Sequence, residues 1–278
     1  MAKRLVIVAG SGQFPSLATA GAKAAGLEVC VLALRGHADP NLIELADQFR
    51  WIPLARIGRW IKLARKFGAE ELILAGGVRK TEAFRPWRIW RYLPDWRAMK
   101  IWFSRARSDR RNLAILAALA DELKEAGITV INSIKYCPEA MAEEGLMTKV
   151  GPSEVVAGDI EFAWPIAQKV AEMDIGQALA VREKDIIAVE AIEGTDAMIE
   201  RTGRLTRSGW TLIKVAQVHQ DMRFDVPTVG PETIEKLHRN GAAALVVQAG
   251  KTLMIDKQAL LKLAEKYRIA VIGKSIGR

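Results

Sequence analysis

Cysteine, histidine and long apolar runs are what this chain has least of. Its 278 residues include two cysteines and three histidines. Cys30 stands in an apolar stretch and Cys137 in a loop-like one, with no Cys/His metal spacing, so two free thiols in a reducing cytoplasm are expected. His37, His219 and His238 make no metal spacing either, and only His219 stands close to acids. The longest unbroken apolar run, Leu113–Ala120, is eight residues, against about 20 for a membrane-spanning helix. Met1-Ala-Lys-Arg leads straight into a short strand-like run, which is not a signal-peptide pattern. No H-E-x-x-H occurs, which removes one familiar hydrolytic motif. What remains is an ordinary globular composition, 50% hydrophobic and 26% charged. At roughly 150 residues per domain, the length suggests two domains.

The charge is uneven. Arg and Lys exceed Asp and Glu by 41 − 32 = 9. Between Arg85 and Arg111 nine basic residues face two acids, Asp95 and Asp109, so this tenth of the chain carries +7. The same stretch holds Trp87, Trp90, Trp96 and Trp102, half of all the tryptophans. Indole rings and guanidinium groups together suit a phospholipid interface. They also suit nucleic acid, where rings stack on bases, or a solvated basic loop. The phospholipid surface is the favoured reading, and no nucleic-acid partner is expected. Pro86 and Pro94 argue against one continuous helix, but Trp96, Met99 and Phe103 would share a face on a short one.

Apolar runs at Leu5–Ala9, Glu28–Leu34 and Glu71–Ala75 read as buried strands. Helical patterns separate them, up to Ala25 and over Trp60–Phe67, and a further helix over Leu113–Ala126 precedes a strand at Thr129–Asn132. Alternation of this kind implies a parallel sheet with right-handed crossovers. The fold class is therefore α/β, with a Rossmann-like N-terminal domain over residues 1–134 that carries the basic, Trp-rich insert at about 82–107. Residues 135–152 read as a linker. Residues 153–278 read as a second α/β domain, with a helix over Phe162–Met173, strands at Ala178–Val181, Ile186–Glu190, Trp210–Val215, Ala243–Gln248, Thr252–Ile255 and Ile269–Ile272, and helices at Glu232–Asn240 and Gln258–Tyr267.

Ligands of such sheets bind at the carboxyl ends of the strands. Gly10, Ser11, Gly12 and Gln13 follow the first strand, and Gly76 and Gly77 follow another, with Arg79 and Lys80 just beyond. Pro15 stands where a dinucleotide fingerprint needs its third glycine, and Lys80 follows arginine rather than glycine, so neither run is a standard nucleotide motif. They read either as turn geometry or as a backbone cradle for phosphate or a nucleotide sugar. In the second half, Asp221-Met-Arg-Phe-Asp225 alternates strictly, which predicts a half-buried strand with Asp221, Arg223 and Asp225 on one face. Carboxylates gathered there need a cation nearby. With Glu193 and Asp196 from a separate loop, they supply material for an oxygen-ligand Mg²⁺ site; the plainer reading is an Arg223–Asp pair and a helix cap at Thr195 or Asp196.

Three segments in order, Asp174-Ile-Gly-Gln177, Val189-Glu-Ala-Ile-Glu-Gly-Thr-Asp-Ala-Met198 and Arg223-Phe-Asp-Val-Pro-Thr-Val-Gly230, resemble one family. It is the two-domain UDP-2,3-diacylglucosamine pyrophosphatase of lipid A synthesis, unrelated to the metallophosphoesterase-fold enzymes. Val8–Pro15, Leu74–Val78 and Ala249–Asp256 resemble it too, so the likeness runs nearly the whole length. The resemblance implies Mg²⁺-dependent hydrolysis of UDP-2,3-diacylglucosamine to UMP and 2,3-diacylglucosamine 1-phosphate. It implies a substrate between two mobile domains, a homodimer through the second domain, and a cytoplasmic enzyme peripheral on the inner membrane. The essential aspartate of the R-x-D-x-P-T-x-G motif falls on Asp225, as metal ligand or general base. Asp221, Glu193 and Asp196 would complete the acidic site, with the metal on Asp225, Glu193 and Asp196. Lys214 and Arg223 would stabilise phosphate charge, and Gly194, Thr195 and Thr228 would join the N-terminal glycine runs in holding substrate.

The chain departs from the family pattern in places. Ser108-Asp-Arg-Arg-Asn112 replaces a Gly-Asp-Asp run, Gln217 stands where a second lysine is common, and Asp221 is often glutamate. A non-catalytic nucleotide-sugar or lipid sensor would keep these motifs with a weakened site. A nicotinamide-dependent oxidoreductase would explain only the first domain.

Overall fold

The computed structural model describes residues 2–78, 94–104, 112–217, 221–224 and 226–276. Arg79, Lys80, His219, Asp225 and most of the basic insert lie outside them. The chain divides into two compact units, Met1–Pro138 with Asp221–Asp225, and Glu139–Gln220 with Val226–Arg278.

The first unit is built on β1 (Arg4–Ala9), β2 (Glu28–Leu34), β3 (Gln48–Ile52), β4 (Glu71–Ala75) and β5 (Thr129–Val130). All pair in parallel, in the order β3-β2-β1-β4-β5, the doubly wound order expected of a Rossmann-like sheet. The apolar runs are unbroken because both sheet faces are covered. Val6 and Val8 of β1, with Cys30, Leu32 and Leu34 of β2, enter one core against α2 (Ile57–Phe67) and α4 (Asn112–Glu125). Leu5, Ile7, Val29 and Val31 enter the other, against α1 (Phe14–Ala24). α2 stops at Gly68, whose left-handed φ of 77° lets the chain turn out of the helix. Burial pushes the Cys30 thiol up to about 11, so it behaves as a core side chain.

Two elements depart from the expectation. β3, with the sequence Gln-Phe-Arg-Trp-Ile, was not anticipated; it is an edge strand whose alternating exposure hides an otherwise mixed sequence. Asp221–Phe224 is not a strand. It is a turn closed by the Phe224 amide on the Asp221 carbonyl at 2.9 Å, and it belongs to the first unit. The Met222 carbonyl accepts from both the backbone amide (3.2 Å) and the hydroxyl (2.8 Å) of buried Ser133, and Phe224 packs on the first unit's core. Local alternation loses here to these tertiary anchors.

The described part of the insert contains α3 (Trp96–Ser104). Asp95 caps it, accepting from the Ala98 amide, and also holds the Gly58 amide of α2. Two partly exposed cations of α3 reach across to α4. Arg97 and Lys100 pair with Glu122 of α4, a carboxylate that is nearly buried, and Lys100 also reaches Glu125. Ile101 turns into the first unit's core with Ala98 against it, whereas Trp96 is 77% exposed, Met99 38% and Phe103 61%.

In the second unit the large sheet runs β6 (Gly145–Leu146), β13 (Ala270–Lys274), β11 (Ala242–Gln248), β9 (Trp210–Lys214), β7 (Ala178–Arg182), β8 (Asp185–Val189). β9, β11 and β13 are mutually parallel, whereas β7 is antiparallel to both neighbours. A small parallel pair joins β10 (Thr228–Val229) and β12 (Leu253–Met254). α5 (Glu154–Glu172) covers one face; α6 (Thr195–Leu205), α7 (Pro231–Arg239) and α8 (Lys257–Tyr267) cover the other. α5 begins eight residues before the expected start, because Ser153 caps it by accepting from the Val156 amide. Residues 139–152 carry the antiparallel edge strand β6.

Candidate active site

In the second unit the carboxyl ends of β8, β9 and β11 come together, and their polar residues are Glu190, Lys214 and Gln248. Lys214 closes β9 and is 93% buried, a costly place for an ammonium unless its protons are taken up. Its Nζ donates to Thr195 Oγ1 and to the Thr228 carbonyl, both at 3.2 Å. Thr195 Oγ1 in turn donates to Glu190 Oε1 at 3.1 Å. Glu190 is 94% buried, and its Oε2 has no hydrogen-bond partner among the described residues. Burial pushes the Glu190 carboxyl above its ordinary value, against the pull of the Lys214 charge and the Thr195 hydrogen bond. Gln248 Oε1 fixes the chain just past Lys214 by accepting from the Ala216 amide at 2.8 Å.

The helix cap differs from the expectation, with a consequence for this cluster. Gly194, not Thr195 or Asp196, is the N-cap of α6, at φ 83°. A left-handed φ suits glycine, and it makes Thr195 the first helical residue. The Thr195 hydroxyl therefore bridges Lys214 and Glu190 rather than capping the helix.

Glu193 and Asp196 lie on the same loop and helix, and each is held by a cation. Glu193 accepts from Arg201 (2.5 Å) and from the Ala191 amide (3.1 Å). Its own backbone amide, then Arg201, hold its carboxyl below its ordinary value. Asp196 pairs with Lys236 of α7. No group of three His, Cys, Asp or Glu side chains able to hold a metal occurs among the described residues. These oxygen donors suit a hard cation but do not form an all-protein cage. They fit a magnesium ion brought largely by phosphate oxygens and completed by one or two carboxylates, the usual manner of that ion.

In the first unit, Asp221 and Arg223 form a closed pair. Arg223 Nε lies 3.0 Å from both carboxylate oxygens and Nη2 2.6 Å from one, which holds the Asp221 carboxyl below its ordinary value. The two glycine runs meet at the end of β1 and β4, and there they bond chiefly to each other. The Ser11 amide donates to the Gly77 carbonyl (2.8 Å), the Gly77 amide to the Ser11 carbonyl (3.0 Å), and the Gly10 amide to the Ala75 carbonyl (2.8 Å). The Ser11 hydroxyl also donates to the Gly77 carbonyl. A Cβ on Gly10 would stand 2.4 Å from the Gly77 oxygen, so this close approach is itself a reason for glycine. Gly12 (φ 91°) and Gln13, the N-cap of α1, lie beyond this bridge.

Glu190 and Gln248 were missed by sequence reasoning. Glu190 had a signal, since it follows a strand directly inside the Val189–Met198 run. Gln248 had none beyond its place at a strand end.

Taken together, this is a two-unit α/β protein with a buried lysine–threonine–glutamate cluster at strand carboxyl ends, where α/β enzymes handle phosphorylated ligands. The LpxI N-terminal domain model matches residues 4–140, and the LpxI C-terminal domain model matches residues 143–272. The chain belongs to the LpxI family. It is 30% identical over 282 residues to the UDP-2,3-diacylglucosamine pyrophosphatase LpxI of Caulobacter vibrioides, covering 98% of this chain and 97% of that one. Solved structures resemble it more loosely. A UDP-glucose-4-epimerase from Stenotrophomonas maltophila aligns at 13% identity and a TM-score of 0.31, over 45% of this chain and 34% of that one. A biotin carboxylase domain from Hydrogenobacter thermophilus aligns at 15% identity and a TM-score of 0.28, over 66% and 36%.

Proposed function

We propose that this protein hydrolyses the pyrophosphate of UDP-2,3-diacylglucosamine, releasing UMP and 2,3-diacylglucosamine 1-phosphate, in a magnesium-dependent reaction. The observation that carries the reading is the buried Lys214, held by Thr195 and Thr228 at the mouth of the sheet, in a chain that matches the C. vibrioides pyrophosphatase end to end. A fixed ammonium in a low-dielectric setting favours the charge that builds on phosphoryl oxygens during cleavage. The α6 N-terminus beside it, at Gly194 and Thr195, favours an anion through its dipole. Magnesium bound with the pyrophosphate supplies further positive charge to the same oxygens. Asp225 is the first candidate to hold that ion or to take a proton from water; Glu193 and Asp196 would join only after leaving Arg201 and Lys236.

The substrate carries two acyl chains, which calls for access from a lipid surface. No described helix is long and apolar enough to cross a membrane. The outward Trp96, Met99 and Phe103 of α3, within the +7 stretch, support docking on an anionic membrane face. A homodimer through the second unit belongs to the same reading, where Val155 and Phe162 leave apolar surface exposed on α5. The decisive experiment is UMP release from UDP-2,3-diacylglucosamine with Mg²⁺, with EDTA, and in Asp225→Ala. Release that needs the metal and is lost in the variant is expected. No release from folded wild-type protein would overturn the reading.

A further inference from the structure

We infer that Glu190 is the positioning residue of the phosphate-facing lysine: its carboxylate accepts the hydrogen bond of the Thr195 hydroxyl and so obliges that hydroxyl oxygen to accept from the Lys214 ammonium. The inference rests on the reading that Lys214 meets a phosphate. An ammonium can only donate, and a threonine hydroxyl has one proton to give. With Lys214 Nζ at 3.2 Å from Thr195 Oγ1, and Oγ1 at 3.1 Å from Glu190 Oε1, the chain of donors runs one way, from lysine to threonine to glutamate. Remove the terminal acceptor, and the hydroxyl is free to turn its proton elsewhere and its lone pair away from the lysine.

The surroundings make Glu190 a stiff terminus. Its amide donates to the Ala178 carbonyl at 2.8 Å. Gly176 packs so tightly against it that a Cβ there would stand 2.0 Å from the Glu190 carbonyl oxygen. The side chain is 94% buried, with Lys214 and Glu193 the charges that act on it. The Gln177 backbone also acts on this carboxylate by a hydrogen bond and helps to hold it. The Oε1 that accepts from Thr195 is thus a fixed acceptor, and what it orders is the lysine relay.

The test separates position from charge. Glu190→Gln and Glu190→Ala remove the same negative charge, but only glutamine leaves an acceptor oxygen for Thr195. Binding of inorganic pyrophosphate is measured by calorimetry on the full-length chain, with near-ultraviolet circular dichroism as the check of folding. Glu190→Gln is expected to bind pyrophosphate as tightly as wild type or tighter, since a negative neighbour is gone. Glu190→Ala is expected to bind at least 5-fold more weakly, although its charge is the same. Should the alanine variant not fold, Thr195→Val and Thr195→Ser carry the comparison: valine weakens binding by a similar factor and serine restores it. Equal affinities for the alanine and glutamine variants, tighter binding by Thr195→Val, or no pyrophosphate binding by wild type would overturn the inference. UMP release is scored separately. Wild-type protein that shows this binding pattern yet releases no UMP would refute the hydrolase reading and leave the relay standing.

Discussion

Phe224→Ala asks whether the turn that the first unit holds at Asp221–Phe224 serves the chemistry of the residue that follows it. The chain leaves the second unit at Gln220 and re-enters it at Val226, and within that excursion Phe224 is the apolar anchor. Truncating a fully buried phenylalanine costs about 3–5 kcal/mol. Phe224 is half-buried, so about 2 kcal/mol is expected, including the loss of the Arg223 guanidinium 4.8 Å from its ring centroid. That lowers the first unit's unfolding midpoint by about 4–8 °C. Ser133→Ala removes one of the two hydrogen bonds to the Met222 carbonyl and costs less, about 1 kcal/mol. Asp225 follows Phe224 in the sequence; if the turn sets where that residue stands, an error of about 1 Å would cost on the order of 100-fold in rate. UMP release measured well below the melting transition should show kcat down about 10- to 100-fold in Phe224→Ala and less than about 5-fold in Ser133→Ala, in the order of their stabilities. A Phe224→Ala protein that melts early yet keeps wild-type kcat would refute the idea that this turn positions Asp225.

Three further outcomes follow from other parts of the molecule. Trp96→Ser with Phe103→Ser should cut sedimentation with anionic vesicles at least about 5-fold without lowering the melting temperature, because these side chains face solvent; unchanged sedimentation would remove α3 from any docking role. Burial pushes the Glu122 carboxyl up, but Lys100 and Arg97 outweigh it and the net value is depressed. Its stabilisation of the α3–α4 contact is thus present above the unfolded carboxylate range, near pH 4, and is lost as pH falls through the lower folded value. Acid titration followed by tryptophan fluorescence should lose that step in Glu122→Gln, and an identical titration would refute it. Gly10→Ala drives a Cβ to within 2.4 Å of the Gly77 carbonyl oxygen, with an expected loss of about 1–3 kcal/mol in denaturant unfolding. A neutral change there would mean that the glycine runs can part easily.

The first sheet was legible because β1, β2 and β4 are buried on both faces, so their apolar runs are continuous and their lengths are set by the turns around them. β3 escaped because an edge strand half open to solvent keeps arginine and glutamine in its pattern. The Asp221–Asp225 alternation misled for a different reason. Period two is necessary for a half-buried strand but does not supply a partner strand, and Ser133 and the first unit's core hold this segment as a turn. At the site, Lys214 and Thr195 could be singled out from the motifs, yet their bond to each other could not, since it depends on Gly194 taking the cap position. Glu190 stayed hidden because a single acid after a strand is an ordinary solvent-facing residue until burial and the Thr195 bond are known.

The two ends of strands that looked alike in the sequence are treated differently by the fold, and this bears on where an anion is gripped. At the end of β1 and β4, the amides of Gly10, Ser11 and Gly77 are satisfied by carbonyls of the same two runs. A phosphate placed against them would have to break bonds of about equal worth, so these glycines gain little from an anion and are better explained by the close approach they permit. At the end of β8 and β9, the donors are a buried ammonium and the first turn of α6, with a relay behind them. An anion there would meet groups that folding has already oriented and removed from water. It gains from the low dielectric without first undoing secondary structure. If the protein handles a phosphate, these energetics favour the second unit over the glycine runs of the first, whose mutual bonds close its sheet.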